Sequence, residues 1–401
     1  MRILTVTNAY PPHYYGGYEL TCADVMQRFA QAGHEVTVLT STLRVPGVDS
    51  TGDDNVRRTL HAYWDWEKHR PAVPRSPWQR FRVEQANLRA LDAALRESEP
   101  DVVSVWHHGG LSMGLLTVIE QRRLPMLLTV ANDWLVAAPR LDGWSRMWLR
   151  WSGPLPTRVG DVPVRLPTLA DARANFVSEF TKGRSNDGAR WRFPDAPIFR
   201  PGVDLRDFPV VAAAPSRPWR WRVLYVGRID PVKGLGTLLR AVAQLPQEAT
   251  LEVIGGGHAG YRAELEALAR ELQIGDRLRF LTAPRAQLRA HYLDADVVVF
   301  PSEWDEPFGV VPLEAMACGT PVVATGTGGS GEFLTDGRNC LRYPAGDVDA
   351  LAACVRRLAA EQSVRQELAT GGLVTAAQLT TDAYAANLLE LHEQVARDPR
   401  G

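Results

Sequence analysis

Two glutamates with seven residues between them, Glu306 and Glu314, form the most informative pair of side chains in the sequence. Glu306 is expected in a loop after a strand, and Glu314 in the helix that follows. A carboxylate can accept hydrogen bonds from two hydroxyl groups at once, which suits both residues to binding sugar hydroxyls. The predicted helix opens with residues whose N–H groups can bind hydroxyl or phosphate oxygens, namely Phe308, Gly309 and Val310. Without a ligand, the same glutamates would be an ordinary loop acid and a helix surface residue.

Two cations, Arg228 and Lys233, lie in a loop that leads from a predicted strand into a predicted helix, and Gly227 opens this loop. A departing nucleoside diphosphate accumulates negative charge on its β-phosphate. Two cations fixed at that point stabilise the transition state more than the ground state. Arg228 and Lys233 are therefore candidates for stabilising a leaving group, although each could also be an ordinary surface cation.

Two adjacent glycines, Gly16 and Gly17, lie between the first predicted strand and the first predicted helix. Because neither has a side chain, the backbone there can approach a phosphate or a sugar closely. A Gly-Gly pair alone is usually just a turn, so this loop gains weight only from the strand and helix around it.

Strands alternate with helices twice along the chain, which is typical of two doubly wound α/β domains with parallel sheets. The predicted strands are residues 3–7, 35–40, 102–106, 127–131 and 174–177, then 223–226, 251–254, 278–281, 297–300 and 321–324. The predicted helices are residues 19–32, 234–244, 261–272, 313–317, 348–358 and 382–396.

The domain boundary is expected near residues 195–218, where proline is dense and the periodicity lapses. We therefore expect one Rossmann-like domain over residues 1–200 and a second Rossmann-like domain over residues 201–375. A C-terminal helix in residues 376–401 is expected to pack back on the first domain. Ligands of open α/β sheets bind beyond the carboxyl ends of the strands, so the ligand should lie in a cleft between the two facing domains.

The segment 300–324 resembles the Glu-x7-Glu motif of the retaining glycosyltransferases of family 4. The flanking Pro-Ser, Phe-Gly and Ala-x-Ala-x-Gly-x-Pro-Val-Val match as well, as do the Gly-Arg…Lys-Gly loop and the N-terminal glycine loop. The resemblance runs from about residue 1 to 360. It implies the two-domain GT-B fold, with the acceptor on the domain of residues 1–200 and the nucleotide sugar on the domain of residues 201–375. It also implies metal-independent, retaining transfer of a hexosyl group from a nucleotide diphosphate sugar to a hydroxyl acceptor, in carbohydrate or natural-product biosynthesis.

The resemblance also assigns roles to individual residues. Glu306 would bind hydroxyls of the transferred sugar, Glu314 would bind the ribose hydroxyls, and Arg228 and Lys233 would stabilise the leaving group. The implied catalytic residues are Arg228, Lys233 and Glu306. The implied donor-binding residues are Gly16, Gly17, Gly227, Arg228, Lys233, Glu306, Phe308, Gly309, Val310 and Glu314. The donor is a substrate, and no cofactor or metal is expected.

One departure from the family pattern affects the acceptor side, because many members have a histidine where this sequence has Ala131. The role of that histidine cannot be carried over. The candidates for acceptor binding are His13, His107, Asn132 and Asp133, and His108 could also supply an imidazole. Buried histidines are more often structural than functional. The resemblance is weakest in residues 41–100 and 135–170, where acceptor recognition is expected to be decided.

Composition excludes several other classes of function. The 45 basic and 46 acidic residues nearly cancel, so no net charge draws the chain to nucleic acid or anionic lipid. Neither a signal peptide nor a membrane-spanning segment is predicted, so any membrane contact is expected to be peripheral. The four cysteines form no Cys-x-x-Cys pair, which fits a reducing compartment, and the expected location is the cytoplasm.

Three further motifs compete with this interpretation. Segments 255–260 and 326–331 match the dinucleotide fingerprint Gly-x-Gly-x-x-Gly, but neither has the ribose-binding acid in its proper place after the next strand. Asp294 and Asp296 form an Asp-x-Asp pair like that of metal-dependent glycosyltransferases, yet they precede a buried strand and are interpreted as acids at a helix end. Trp144, Trp148 and Trp151 share a helical face that could contact a membrane, line an acceptor pocket or pack on the N-terminal domain, and we favour packing.

Two other functions remain open from the sequence. A sugar phosphorylase of the same fold would use free phosphate in place of a nucleotide. A catalytically silent subunit that binds a nucleotide sugar would keep the donor site without turnover.

Overall fold

The computed structural model describes residues 1–45, 48–49, 54–65, 70–72, 76–150, 156–213, 217–257 and 259–398. The chain divides into two compact units. The first consists of Met1–Phe199 and Tyr384–Gly401, and the second of Arg200–Ala383.

The first unit contains a sheet of six parallel strands in the order β10-β7-β6-β1-β2-β3. Its strands and two short hairpins are β1 (Arg2–Val6), β2 (Glu35–Ser41), β3 (Val56–Leu60), β4 (Trp64–Asp65), β5 (Arg70–Pro71), β6 (Val102–Val105), β7 (Met126–Val130), β8 (Arg158–Val159), β9 (Val162–Pro163) and β10 (Arg173–Phe176). Its helices are α1 (Gly17–Gln31), α2 (Pro77–Ser98), α3 (Met113–Gln121), α4 (Trp134–Leu141), α5 (Gly143–Trp148) and α6 (Glu179–Gly188).

The second unit contains another parallel sheet of six strands, in the order β13-β12-β11-β14-β15-β16. Its strands are β11 (Arg222–Val226), β12 (Thr250–Ile254), β13 (Leu278–Leu281), β14 (Val297–Phe300), β15 (Val322–Ala324) and β16 (Leu341–Arg342). The remaining helices are α7 (Leu235–Ala243), α8 (Ala259–Glu271), α9 (Arg285–Asp294), α10 (Val311–Ala317), α11 (Val348–Ala360), α12 (Gln362–Gln378) and α13 (Thr381–Arg397).

Both sheets have the strand order 3-2-1-4-5-6 of a doubly wound fold, so the predicted α/β class is confirmed. In the first unit, one face of the sheet is covered by α1 and α13, through side chains such as Phe29 and Leu388. The opposite face is covered by α2 and α3, through side chains such as Leu91 and Leu115.

Helix α1 illustrates how closely the local sequence defines an element. Its buried residues Cys22, Val25, Met26 and Phe29 follow the spacing of one helical face. The helix is capped by Ala32, and Gly33 then adopts a φ of +87°, which favours glycine. The predicted helix 19–32 therefore differs from the observed one by no more than two residues at either end.

The 22-residue helix α2 was not predicted, and the reason is chemical. Two of the residues that it buries are the polar Glu84 and Asn87, so its apolar periodicity is interrupted. Asn87 accepts a hydrogen bond from the N–H of His61 (2.7 Å) and donates one to the carbonyl oxygen of the same residue (3.0 Å). Hydrogen bonds within the fold offset the free-energy cost of burying such polar side chains. The linear sequence does not show which residue will be the hydrogen-bond partner.

The packing interpretation of the tryptophan segment is supported for two of its three members. Trp144 is buried and donates its indole N–H to the carbonyl oxygen of Pro163 (2.7 Å). Trp148 packs edge-on against Trp144, with ring centroids 5.5 Å apart. The helix that carries both, α5, is only six residues long, and Trp151 lies outside the described residues.

Candidate functional site

In the second unit, neighbouring strands β11 and β14 define the point where the strand order reverses. In doubly wound sheets, ligands bind beyond the carboxyl ends of the strands at this point. Gly227, Arg228 and Lys233 follow β11, and Glu306 follows β14, so the topology brings the two predicted loops to one place.

Lys233 and Glu306 are paired directly. The ammonium group of Lys233 donates a hydrogen bond to Oε1 of Glu306 over 2.6 Å. Glu306 is only 6% exposed, so the Lys233 charge compensates a carboxylate that has lost most of its contact with water. Either group can instead bind a substrate, because ligand oxygens can replace the carboxylate and ligand hydroxyls can replace the ammonium group.

Arg228 is the accessible cation of this pair of loops, with 48% of its side chain exposed. Its guanidinium group lies 3.1 Å from Oδ2 of Asp230. The buried Tyr225 donates its hydroxyl hydrogen to the carbonyl oxygen of Arg228 (2.7 Å), which holds the loop backbone in place. Asp230 also begins the short turn before Lys233, since its side chain accepts a hydrogen bond from the N–H of Val232.

Glycines allow these loops to touch. Gly234 has a φ of +70°, and a Cβ added there would lie 1.9 Å from the carbonyl oxygen of Pro301. Gly328 has a φ of +57°, and its added Cβ would lie 2.5 Å from the carbonyl oxygen of Glu306. The next residue, Gly329, donates its N–H to that same oxygen (2.6 Å). Gly328 and Gly329 therefore position the backbone of Glu306.

The other Gly-x-Gly-x-x-Gly segment also serves loop packing. A Cβ added to Gly255 would lie 1.9 Å from the carbonyl oxygen of Gly227. The following Gly256 accepts a hydrogen bond from the N–H of Ile229 (2.9 Å). Close backbone contact therefore explains the glycine at position 255.

The second glutamate, Glu314, lies in the first turn of α10 and is 8% exposed. Helix α10 begins two residues earlier than predicted, with Val310 as its N-cap and Gly309 at a φ of +91°. Phe308 is buried against Phe333, with ring centroids 4.8 Å apart. The segment before the helix is thus anchored by an aromatic side chain, and the first N–H groups of a helix lack partners within it.

In the first unit, the corresponding reversal of strand order lies between β1 and β6. Gly16 is the N-cap of α1 and donates its N–H to Oε2 of Glu19 (3.0 Å). The other oxygen of the buried Glu19 lies 3.2 Å from Nδ1 of His107, which follows β6. A Cβ added to Gly17 would meet nothing within 4 Å, so the protein's own packing does not require glycine there. Sequence reasoning missed Glu19, although it directly follows the predicted glycine loop.

Tyr18 lies beside the backbone of Ala131, the position where many family members have a histidine. The hydroxyl of Tyr18 donates a hydrogen bond to the carbonyl oxygen of Thr129 and lies 3.4 Å from the N–H of Ala131. The ring of Tyr18 packs against that of His107, with centroids 5.3 Å apart. Tyr18 therefore contacts both His107, a predicted acceptor-binding residue, and the backbone of Ala131.

The other acceptor candidates have structural partners. His13 is buried, and its Nδ1 accepts a hydrogen bond from the N–H of Val45 (3.1 Å). Asn132 accepts a hydrogen bond from the N–H of Trp134 (3.0 Å), at the start of α4. Asp133 caps the same helix and forms an ion pair with Arg184 (2.6 Å). These contacts neither assign nor exclude an acceptor, so the roles of these residues stay predictions.

His108 differs from His107 in its surroundings. It is completely buried, and burial lowers its pKa to about 4. The neutral ring donates from Nε2 to the carbonyl oxygen of Ser112 (2.9 Å).

The Asp-x-Asp pair lies at a helix end, as predicted. Asp294 is the last residue of α9, and Asp296 directly precedes β14. Asp296 accepts hydrogen bonds from the N–H groups of Arg220 (2.8 Å) and Arg222 (3.0 Å), while Asp294 forms ion pairs with the side chains of both. Both carboxylates thus tie α9 to the strand β11. Over the ranges that the structure describes, no group of three or more His, Cys, Asp or Glu side chains is arranged to hold a metal ion.

None of the described helices has both the length and the apolar composition that are needed to cross a lipid bilayer.

Comparison with known proteins gives each unit a family. A family model described as Glycosyltransferase Family 4 matches residues 15–159. A second model, Glycosyl transferases group 1, matches residues 213–372. Together they cover the segments that carry the N-terminal glycine loop and the Glu-x7-Glu motif.

Curated relatives carry the same kind of name. The chain is 36% identical over 217 residues to a D-inositol 3-phosphate glycosyltransferase of Xylanimonas cellulosilytica, covering 50% of this chain and 51% of the relative. It is 39% identical over 181 residues to the protein of that name from Thermomonospora curvata, covering 42% of each. The chain thus spans about half the length of the curated relatives that it matches.

Solved structures share the fold over nearly the whole chain. Sucrose-phosphate synthase from Thermosynechococcus elongatus superposes with a TM-score of 0.73 and 23% identity, over 98% of each chain. Anabaena HepE in complex with UDP superposes with a TM-score of 0.70 and 18% identity, over 98% of this chain and 100% of the other. The predicted GT-B fold is therefore confirmed.

Proposed function

Because the chain belongs to the glycosyltransferases of family 4, we propose that it transfers a hexosyl group from a nucleotide diphosphate sugar to a hydroxyl group of an acceptor. The observation that carries this proposal is the Lys233–Glu306 pair, which joins the two loops at the reversal of strand order in the second unit. In this proposal the second unit binds the donor and the first unit binds the acceptor.

The donor's diphosphate lies beside Arg228 and Lys233. When it binds, its oxygens compete with Glu306 for the Lys233 ammonium group. Glu306 is then released to accept hydrogen bonds from hydroxyls of the transferred sugar, while Glu314 accepts them from the ribose. As the bond to the leaving group breaks, the two cations stabilise the negative charge on the β-phosphate.

We further propose that transfer retains the anomeric configuration and needs no metal ion. A leaving phosphate oxygen on the same face of the sugar accepts the proton of the acceptor hydroxyl. Two cations and the first turn of α10 supply positive potential, which is the task of a metal ion in other glycosyltransferases.

Among the histidines, we assign the binding of the acceptor to His107. Its contact with Glu19 orients the imidazole, and Glu19 also binds the backbone of the glycine loop. A cytoplasmic location fits the proposal, because all four cysteines are unpaired thiols, as expected in a reducing compartment.

The test is a release assay with UDP-, GDP- and ADP-glucose as donors. D-inositol 3-phosphate is the first acceptor to test, because the curated relatives are named for it. The proposal predicts stoichiometric formation of a nucleoside diphosphate and a glycoside whose anomeric configuration, read by NMR, matches that of the donor. Turnover with glucose 1-phosphate and release of free phosphate would identify a phosphorylase instead. Donor binding by calorimetry without turnover on any acceptor would indicate a silent binding subunit.

A further inference from the structure

Behind the predicted ribose-binding carboxylate lies a buried tyrosine. Tyr292, on α9, donates its hydroxyl hydrogen to Oε2 of Glu314 over 2.7 Å. Tyr292 is 0% exposed. Because this hydrogen bond joins two side chains that are both buried, it restricts the orientation of the Glu314 side chain.

Tyr292 is itself held at both ends. Its ring packs edge-on against the buried Phe208, with centroids 5.7 Å apart. Its carbonyl oxygen accepts a hydrogen bond from the hydroxyl of Thr320 (2.7 Å), just beyond the C-terminal end of α10. The phenol thus approaches Glu314 from a rigid part of the core.

The hydroxyl group is the unexpected part of this side chain. Burying a hydroxyl group costs free energy unless it forms a hydrogen bond, and a phenylalanine would fill the same apolar space without that cost. Burial also keeps the phenol protonated, because it raises the pKa of Tyr292 well above its ordinary value. The Tyr292 hydroxyl therefore keeps its proton and donates it in the hydrogen bond to Glu314.

We propose that Tyr292 is a positioning residue for nucleotide recognition, which orients the Glu314 carboxylate so that it can accept hydrogen bonds from the ribose hydroxyls. This inference rests on the ribose contact of the proposed function and deepens it. It concerns affinity and selectivity for the ribose, and it assigns Tyr292 no part in the chemical step.

The test uses Tyr292→Phe, which removes one oxygen atom and keeps the ring. Calorimetry with UDP, GDP and ADP first identifies the diphosphate that binds best, and its 2′-deoxy form is then compared with it. We expect Tyr292→Phe to bind the ribonucleotide about tenfold more weakly. Affinity for the deoxynucleotide should change little, so discrimination between the two should shrink. In turnover assays, KM for the donor should rise while kcat stays near its wild-type value.

Tyr343→Phe is the matched control. Tyr343 is also buried in the second unit, but its hydroxyl makes no hydrogen bond to the residues that the structure describes. Its loss should leave both affinities unchanged. Equal weakening of both nucleotides in Tyr292→Phe, or unchanged discrimination, would show a merely structural role and overturn the inference.

Glu314→Gln separates this inference from the proposed function. If Glu314→Gln loses ribose discrimination and Tyr292→Phe retains it, the ribose contact stands and the positioning role is wrong. If Glu314→Gln itself keeps full discrimination, the ribose contact is wrong, and the role of Tyr292 is wrong with it.

Discussion

At the scale of single residues, the charges of Lys233 and Glu306 compensate each other in the proposed donor site before any ligand binds. A buried carboxylate that loses its only ammonium partner becomes an uncompensated charge, which is costly. In the proposed mechanism, a change of Lys233 would therefore affect both the leaving group and Glu306. A change of the half-exposed Arg228 would affect mainly the leaving group.

The first prediction follows from these charges. Arg228→Ala and Lys233→Ala should each lower kcat by about 10²–10³-fold, the usual loss when one donor to a developing oxyanion is removed. Lys233→Arg should be less harmful than Lys233→Ala, because it keeps the charge. Steady-state turnover measures both effects, and Arg262→Ala on the exposed surface of α8 is the control. Turnover near the wild-type level in either alanine variant would remove that residue from the mechanism.

The second prediction separates the two glutamates. Glu314→Ala should weaken binding of the bare nucleoside diphosphate, because the ribose contact is lost. Glu306→Ala should keep that binding, since Lys233 is then unpaired and available to the diphosphate, but it should damage turnover and selectivity for the donor sugar. Isothermal calorimetry with the diphosphate alone decides the matter. Equal losses in the two variants would refute the division of labour.

The third prediction concerns metal independence. Activity should survive exhaustive chelation, because Arg228 and Lys233 carry the positive charge that a metal would supply. Asp294→Asn should destabilise the protein, measured as a lower melting temperature, more than it impairs turnover. The reason is that Asp294 forms ion pairs with Arg220 and Arg222. Loss of activity with EDTA and its recovery with magnesium or manganese would contradict our account of the leaving group.

At the scale of elements, the site depends on loops that approach one another more closely than side chains would allow. The turn at Gly234 places Lys233 beside the loop after β14, and the Gly328 turn holds the backbone of Glu306. Positive φ angles and backbone contacts at these two turns fix the distance between the charged groups.

The fourth prediction tests one of these turns. Gly234→Ala should lower the melting temperature of the second unit and kcat together, because the added Cβ meets the Pro301 carbonyl at 1.9 Å and the φ of +70° disfavours alanine. Gly256→Ala is the matched control, since a Cβ there meets nothing within 4 Å. Differential scanning calorimetry and turnover assays give both readouts. A Gly234→Ala protein as stable and active as Gly256→Ala would show that the turn does not position Lys233.

At the scale of the whole molecule, the two units have the same topology but differ in the ionisable side chains that they bury. The first unit contains a carboxylate pair, Glu84 and Asp142, in its core. Burial, followed by the charge of Asp142, raises the pKa of Glu84 to about 8, while hydrogen bonds from Ser112 and Tyr63 oppose the rise. Burial raises the pKa of Asp142 as well.

The pKa values of two histidines of the same unit shift in the opposite direction. Burial lowers the pKa of both His108 and His392 to about 4. His392, on α13, lies 2.8 Å from the hydroxyl of Ser104 and 2.6 Å from the carbonyl oxygen of Leu388. Since a carbonyl can only accept, Nδ1 carries the proton and Nε2 accepts from the serine.

The fifth prediction is the pH dependence of stability that these groups cause. A raised carboxyl pKa means that the folded state binds a proton which the unfolded state has lost, so stability falls as the pH rises from about 4.5 to 8. The lowered histidine pKa values act oppositely, and their contribution is lost as the pH falls from 6.5 toward 4. Of these four groups, only the carboxyl pair still contributes above pH 6.5, by at most about 1.4 kcal/mol per pH unit for each proton that the folded state alone binds.

Glu84→Gln should therefore reduce the loss of stability between pH 6.5 and 8, because the amide mimics the protonated carboxyl group and takes no part in the titration. Hydrogen exchange of the β1 and β6 amides reports on the first unit specifically. Glu97→Gln, an exposed position on the same helix, should leave the wild-type slope unchanged. A wild-type slope in Glu84→Gln would contradict the assignment.

Local sequence was sufficient for most strands of the two sheets and for six of the helices, namely α1, α7, α8, α10, α11 and α13. Strands such as Val297–Phe300 are short, apolar and β-branched, and helices such as α1 have their apolar residues on one face, so each pattern reflects its own surroundings. Loop chemistry was equally accessible, because Arg228 is close to Lys233 along the chain and Glu306 is close to Glu314, so that each pair forms a recognisable motif.

Contacts between distant segments could not be predicted in this way. Tyr292 and Glu314 are 22 residues apart, and Lys233 and Glu306 are 73 apart, so only the parallel sheet brings these partners into hydrogen-bond distance. Helix α2 escaped prediction for a related reason, because Glu84 and Asn87 are buried with partners from other elements. A buried polar group depends on its partner, and a linear pattern of hydrophobicity contains no information about that partner.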